Sequence, residues 1–284
     1  MRTIGQFLSL WTSRLDRQGV DAPRLSAELL TASALGWGRL DLLINQQRIL
    51  EPPEVRRAEG LLHRRGTGEP LAYILGEKEF YGLPFRVNNE VLIPRPETEQ
   101  IIEVVKSYYA CKDAFVFADV CTGSGVLGIV LATLFPRSRG VLMDISGPAL
   151  EVAAENVRIH GMGQRLQLVR GDLTESLGAG RLDLLVANPP YIPLTDRSTL
   201  DREIREYEPH QALFGGATGT EEALRLTDQA WRVLTNGSRL ILELGLGQAA
   251  LLARIRNPIR WNEPRIVQDF SGRDRILILI KTVP

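Results

Sequence analysis

Five short apolar runs recur along the second half of the chain: Phe115–Val120, Gly140–Met143, Leu166–Val169, Leu182–Ala187 and Arg239–Leu244. Most are apolar at nearly every position rather than at alternate ones. A strand of that kind is buried on both faces, and helices lie between the runs to cover it. Helical spacing marks Glu97–Tyr109, Gly125–Leu134, Pro148–Ile159 and Thr220–Leu234, the third with Leu150, Ala153, Ala154 and Val157 as its apolar stripe. Apolar strands alternating with helices require parallel crossovers, and so an α/β fold with helices on both faces of the sheet. The C-terminus departs from this rhythm. Ile266-Val267 and Ile276–Ile280 flank Ser271-Gly272-Arg273-Asp274, a turn sequence, and are expected to pair antiparallel at the end of the sheet.

Upstream of this region the pattern changes. Residues 1–72 read as a small helical domain. Ile4, Phe7, Leu8, Trp11 and Leu15 share one helix face. Asp21 precedes Pro23 as a candidate N-cap, with Leu25, Leu29 and Ala32 as the buried stripe behind it. A further helix is expected from Pro52-Pro53, carrying Val55, Ala58 and Leu62. No catalytic constellation is visible here; the segment suits a bundle or a platform for docking a macromolecule. Residues 73–93, with Tyr73-Ile74-Leu75-Gly76 and Phe80-Tyr81-Gly82-Leu83-Pro84-Phe85, read as a β-hairpin linker. Residues 94–284 form the α/β domain.

Composition narrows the function. The chain has 284 residues, with 34 basic against 34 acidic side chains. A protein that lives on nucleic-acid phosphates usually carries a basic excess, so stable nucleic-acid binding is not expected. The two cysteines, Cys111 and Cys121, form no CxxC and have no neighbouring His. Neither a disulfide framework nor a metal site is expected, and a cytoplasmic location fits. No apolar run approaches membrane-spanning length, so no membrane association is expected.

The chemistry gathers at strand ends. The first run leads into Cys121-Thr122-Gly123-Ser124-Gly125 and then a helix. Glycine lets backbone approach a ligand, and a helix N-terminus favours an anionic group. Gly123, Gly125 and Gly128 satisfy G-x-G-x-x-G, which admits either a nicotinamide dinucleotide or S-adenosylmethionine. Asp144 ends the second run, where a carboxylate can accept two ribose hydroxyls; taken alone, it or Asp119 could instead cap a helix. Asp172-Leu173 follows the third run, where a carboxylate can receive an adenine amino group or simply serve a turn.

Asn188-Pro189-Pro190-Tyr191 follows the fourth run. Asn188 can accept one N–H of a planar NH2 group, and the Pro189 carbonyl the other. Pro190 keeps Pro189 out of the α region and so aims that carbonyl. Tyr191 offers a flat face for an amide or a base. Ligands of parallel α/β sheets bind outside the carboxyl ends of the strands, so the four clusters should converge there. Hydride transfer has no use for the fourth cluster; alkylation of an amide or exocyclic amine does.

Taken together, these residues resemble the glutamine methyltransferases of peptide chain release factors. The likeness extends to Leu92-Ile93-Pro94-Arg95-Pro96-Glu97-Thr98-Glu99, to Glu206-Tyr207-Glu208-Pro209-His210-Gln211-Ala212-Leu213 and to Asp269–Arg275. It implies a Rossmann-like class I methyltransferase, with a mostly parallel seven-stranded sheet behind a helical N-terminal domain and a hairpin linker. It implies S-adenosyl-L-methionine as cofactor, held by Cys121, Thr122, Gly123, Ser124, Gly125, Asp144, Asp172, Leu173 and Asn188. Asn188, Pro189, Pro190 and Tyr191 become the catalytic group. The implied substrate is the Gln of a Gly-Gly-Gln loop in a bacterial release factor. A ribosomal-protein glutamine or a DNA adenine amino group remain alternatives of the same chemistry. One departure stands out: the family often has Gly where this chain has Cys121, and a left-handed backbone is not expected there. Cys121 should line the pocket without acting as a nucleophile, since no base neighbours it.

Overall fold

The computed structural model describes residues 2–269 and 271–282. Met1, Phe270, Val283 and Pro284 lie outside the described residues, and with them the place of Phe270 in the C-terminal turn. The chain divides into two compact units, Met1–Glu77 with Asp201–Tyr207, and Lys78–Leu200 with Glu208–Pro284.

The first unit holds α1 (Ile4–Arg17), α2 (Pro23–Leu35), α3 (Arg39–Ile44), α4 (Pro52–Gly66) and α5 (Leu71–Leu75). A capping box starts α1: the Thr3 hydroxyl accepts from the Gln6 N–H at 3.3 Å and the Gln6 side chain accepts from the Thr3 N–H at 3.1 Å. Ile4, Phe7, Leu8, Trp11 and Leu15 are all buried, as their spacing predicts. In α2 the reading needs two corrections. The N-cap is Ala22, not Asp21, whose carboxylate instead accepts from the Ala22 N–H. Pro23 at the first helical position has no N–H to leave unpaired, and its φ suits the helix start. The buried face carries Ala27, Leu30, Thr31 and the expected Ala32, while Leu29 is half-buried and Leu25 exposed. Glu28 is buried between Arg24 and Arg39 on this helix. The expected hairpin start is also helix: Tyr73 and Ile74 are buried residues of α5, and Gly76 ends it in the left-handed conformation.

The second unit begins with a short hairpin, β1 (Glu77–Phe80) and β2 (Leu83–Arg86). Tyr81 and Gly82 both take positive φ, as a two-residue hairpin turn demands. Phe80 and Phe85 drop into the core of this unit. A 3₁₀ turn at Pro96–Thr98 precedes α6 (Glu99–Lys106), so this helix is shorter than its apolar pattern suggests. Then follow β3 (Val116–Val120), α7 (Val126–Leu134), β4 (Arg139–Asp144), α8 (Gly147–Ile159), β5 (Leu166–Arg170) and β6 (Leu182–Ala187). Helix α9 (Arg202–Tyr207) belongs to the first unit, where Glu203 pairs with the buried Arg65 at 2.7 Å. The chain returns through α10 (His210–Leu213), α11 (Glu221–Val233), β7 (Leu234–Glu243), α12 (Gln248–Ile255), β8 (Arg265–Gln268) and β9 (Asp274–Ile280).

The seven strands run in the order β5-β4-β3-β6-β7-β9-β8. Pairings from β5 through β7 are parallel, and β9 is antiparallel to both neighbours. Alternate residues feed two cores. Phe117, Leu184, Val186, Ile241, Ile276 and Ile278 face one layer of helices; Ala118, Val120, Leu185, Ala187, Leu240 and Leu242 face the other. Burial on both sides explains why the strands read as continuous apolar runs. The order reverses between β3 and β6, which opens a crevice at the carboxyl ends of the sheet.

Candidate active site

The turn after β3 is built on positive φ at Cys121 (59°), Gly123 (54°) and Gly125 (84°). Cys121 therefore takes the left-handed conformation that its side chain argued against. That geometry costs an L-residue about 1–2 kcal/mol. The surroundings over-determine it: the Thr122 N–H reaches the Met143 carbonyl at 2.9 Å, and the Gly125 N–H reaches the Thr122 carbonyl. Asp119, fully buried, accepts from the Thr122 hydroxyl at 2.6 Å and from the Gly128 N–H at 2.9 Å. Burial raises the Asp119 carboxyl to about 7 in spite of these donors. Gly128 is required by packing, since a Cβ there would lie 2.6 Å from Leu142. Of the stripe expected on α8, Ala153 and Val157 are buried and Ala154 is exposed; Asn156, buried beside them, donates to the Ser124 carbonyl at 2.8 Å.

Asp144 joins two turns. One carboxylate oxygen accepts from the Gly123 N–H at 3.0 Å and the other from the Ser146 N–H at 2.9 Å. Its carboxyl is raised chiefly by burial, and these N–H groups hold it back. Asp172 meets Arg225 of α11 at 2.6 Å, and Arg225 also holds Glu222 at 2.9 Å. A carboxylate so engaged retains acceptor capacity for a ligand amine. Leu173 behind it takes a φ of 49°.

Asn188 leaves β6 beside this turn, and its side-chain NH2 donates to the Thr98 hydroxyl at 3.2 Å. Pro189 is buried, and Tyr191 is partly buried with its phenol pushed up to about 12, first by burial. Gln248 grips the backbone of this turn: its NH2 donates to the carbonyls of Tyr191 at 2.9 Å and Gly219 at 3.2 Å. Gly215 lets its chain run against the Pro190 carbonyl. Glu208, buried, accepts from the Ile93 N–H at 3.2 Å and from Arg95, pinning the Pro94–Pro96 segment that delivers Thr98.

A cavity of about 310 Å³ opens over these strand ends, within the lower range of small-ligand pockets. Its wall includes Cys121, Gly123, Asp144, Asp172, Leu173, Asn188 and Pro190. Thr122, Ser124, Gly125, Pro189 and Tyr191 are not on that wall; Thr122, Ser124 and Gly125 shape the turn from behind. A Cβ on Gly123 would meet no protein atom within 4 Å, so the turn leaves open space on the cavity side. Thr98, Gln248, Glu208 and Gly215 were not assigned roles from sequence. Thr98 and Glu208 lie in motifs that carried the resemblance, while the close glycines at 215 and 219 offered the only signal for that loop.

A seven-stranded sheet of this order, with a cavity at the carboxyl ends of its parallel strands, defines the class I methyltransferase fold. A methyltransferase from Pyrococcus furiosus shares it with a TM-score of 0.55 at 15% identity, over 81% of this chain and 99% of that one. Family models match in both units: the PrmC N-terminal domain over residues 6–76, and the methyltransferase small domain over residues 103–204. The release factor glutamine methyltransferase of Nitratidesulfovibrio vulgaris is 43% identical over 93% of this chain and 90% of its own. That of Geobacter sulfurreducens is 38% identical over 97% and 95%. The chain belongs to the release factor glutamine methyltransferase family.

The residues present fit S-adenosylmethionine: a glycine-lined cradle, an acid at the end of β4 for a ribose diol and another after β5 for an amine. Among the described residues no His, Cys, Asp and Glu cluster could hold a metal ion, and no helix is long and apolar enough to cross a membrane.

Proposed function

We propose that the protein methylates the side-chain amide nitrogen of the Gln in the Gly-Gly-Gln loop of peptide chain release factors. The cofactor S-adenosylmethionine supplies an electrophilic methyl group on a sulfonium. Asn188 carries the reading: it stands on the cavity wall at the end of β6, with its NH2 turned to Thr98. Its Oδ1 is then the atom offered to a substrate N–H, and the Pro189 carbonyl accepts the second N–H. An amide nitrogen is a weak nucleophile because its lone pair is delocalised into the carbonyl. Two fixed acceptors turn that lone pair toward the methyl and stabilise the positive charge that develops on nitrogen. Tyr191, held neutral, packs beside the amide plane. The proton leaves after transfer, so no strong base is needed.

Asp144 takes the ribose hydroxyls in this reading, Asp172 the adenine amine, and the Cys121–Gly125 turn the methionine portion. The helical N-terminal unit docks the release factor, and the reaction takes place in the cytoplasm. The test is methyl transfer from labelled S-adenosylmethionine to a purified release factor, beside its Gln→Ala form and duplex DNA. Label confined to the intact loop is expected. Asn188→Ala should lower turnover by about 10²–10³ while cofactor still binds. Label on the DNA, or full turnover by Asn188→Ala, would overturn the assignment.

A further inference from the structure

Asn188 can serve a substrate amide in only one of two orientations. Its oxygen and nitrogen are nearly the same size, so packing does not choose between them. With Oδ1 outward it accepts the substrate N–H; with NH2 outward it opposes one donor to another. The Thr98 hydroxyl at 3.2 Å does not choose either, because a hydroxyl both donates and accepts. A third group has to break the tie.

Glu243 is placed to do so. Leu242 of β7 pairs with Ala187 of β6, so Glu243 and Asn188 leave neighbouring strands side by side. Glu243 is 1% exposed, and its Oε2 is buried without a hydrogen-bond partner. Thr98, whose hydroxyl meets Asn188, also stands beside this carboxyl and lowers its pKa. A hydroxyl has one proton. A buried carboxylate is a far stronger acceptor than an amide oxygen, so it claims that proton. Only lone pairs of Thr98 then face Asn188, and the amide must turn its NH2 toward them.

We propose that Thr98 and Glu243 are positioning residues that lock the Asn188 side chain with its oxygen toward the substrate. The inference rests on the proposed role of Asn188 as acceptor. It gives a buried acid at the end of β7 a purpose, and it explains why Glu208 and Arg95 pin the segment that carries Thr98.

Protonation of Glu243 releases the lock, because a carboxylic acid donates to Thr98 and frees the hydroxyl proton for Asn188. Burial raises Glu243 to about 7; Thr98, Arg275 and Arg95 pull it down, and Glu97 pushes it up. Tyr191 also senses this charge, its phenol being raised by it after burial. Turnover should therefore fall as pH drops through about 7.

The experiment compares kcat, the release-factor KM and cofactor affinity for Thr98→Val, Thr98→Ser, Glu243→Gln and Asn188→Ala. Thr98→Val is expected to lower kcat by about 10²-fold with KM and cofactor affinity unchanged. Thr98→Ser, which keeps the hydroxyl, should restore most of it. Thr98→Val added to Asn188→Ala should cost nothing further. Glu243→Gln should lower kcat and abolish the acid limb near 7. If Asn188→Ala is inactive while Thr98→Val turns over normally and Glu243→Gln keeps the limb, the lock is refuted and the acceptor stands. Full turnover by Asn188→Ala overturns both.

Discussion

Replacing Gly215 by Ala displaces the Asn-Pro-Pro-Tyr turn from outside. The Gly215 N–H donates to the Ile192 carbonyl at 3.0 Å, and the Ile192 N–H donates to the Leu213 carbonyl at 2.9 Å. The two segments are thus held together as a short parallel bridge. A Cβ on Gly215 would fall 2.2 Å from the Pro190 carbonyl oxygen and 2.8 Å from that of Gly219. Both obstacles are backbone, and no rotamer relieves them. An ordinary carbon–oxygen approach is about 3.3–3.6 Å, so the Pro190 peptide has to retreat by about 1 Å. Asn188 lies two residues upstream on the same rigid proline pair. Misplacing a reacting group by about 1 Å costs on the order of 10²-fold in rate, or about 2.7 kcal/mol of barrier. The cofactor-side groups on β3 and β4 are left in place. Single-turnover methyl incorporation should thus slow by about 10²-fold, with cofactor affinity by calorimetry unchanged. Normal turnover would show that the Phe214–Gly216 segment yields instead, and would refute a rigidly held turn.

Gly123→Ala should show the opposite split. Its φ of 54° adds strain of about 1–2 kcal/mol, visible as a lower Tm, but the new methyl meets only cavity space and should weaken cofactor binding more than folding. Unchanged calorimetric affinity would contradict the cradle. Asp119 gives a pH signature in stability. Its folded-state value of about 7 lies above the ordinary 3.8, so the folded protein binds the extra proton. Its contribution is fully present below about 4 and is lost as pH rises to about 7, at up to about 1.4 kcal/mol per pH unit in between. Denaturant titrations should show that slope, and Asp119→Asn should flatten it; an unaltered slope would place the effect elsewhere. Thiol reagents should label exposed Cys111 quickly and Cys121 slowly, since burial and then Asp144 keep the latter thiol protonated. Equal rates would contradict that environment.

The sheet was legible because burial on both faces leaves a composition signal: Leu184, Leu185, Val186 and Ala187 face alternate cores yet all read as apolar. The cavity was legible because parallel strands deliver their carboxyl ends to one place, so Asp144, Asp172 and Asn188 could be grouped without knowing a contact. Conformation was less so. Cys121 is left-handed because hydrogen bonds on both sides of it require the turn, and those partners sit on β4 and α7. Contact between distant segments was not legible: Thr98 and Asn188 are 90 residues apart, and neither carries periodicity. The face of α2 was only partly legible for a related reason: Ala32 is buried as expected, but Leu25 is exposed, and Glu28 is buried between Arg24 and Arg39.

Charge is distributed unevenly over the carboxyl ends of the sheet, and the unevenness matches the reaction. Asp144, Asp172 and Glu222 line the side under β3 to β5, with Arg225 paired to the latter two. Their field is registered at Cys121, whose thiol is pushed well up by burial first and then by Asp144, Asp119, Glu222 and Asp172. A field that opposes a thiolate favours a sulfonium, and it favours the cationic donor over the neutral thioether left behind. Attraction of that kind tightens the ground state and by itself does not lower the barrier. In the proposed mechanism the barrier falls where positive charge arrives, on the substrate nitrogen, and the acceptors proposed there are neutral carbonyl oxygens of Asn188 and Pro189. A charged group in that position would bind the cationic donor as well as the transition state; an oriented amide responds chiefly to the nitrogen in front of it. On this reading the cavity over β3 to β5 holds the donor, the turn after β6 discriminates the transition state, and the buried Glu243 acts on catalysis only through the direction in which Asn188 faces.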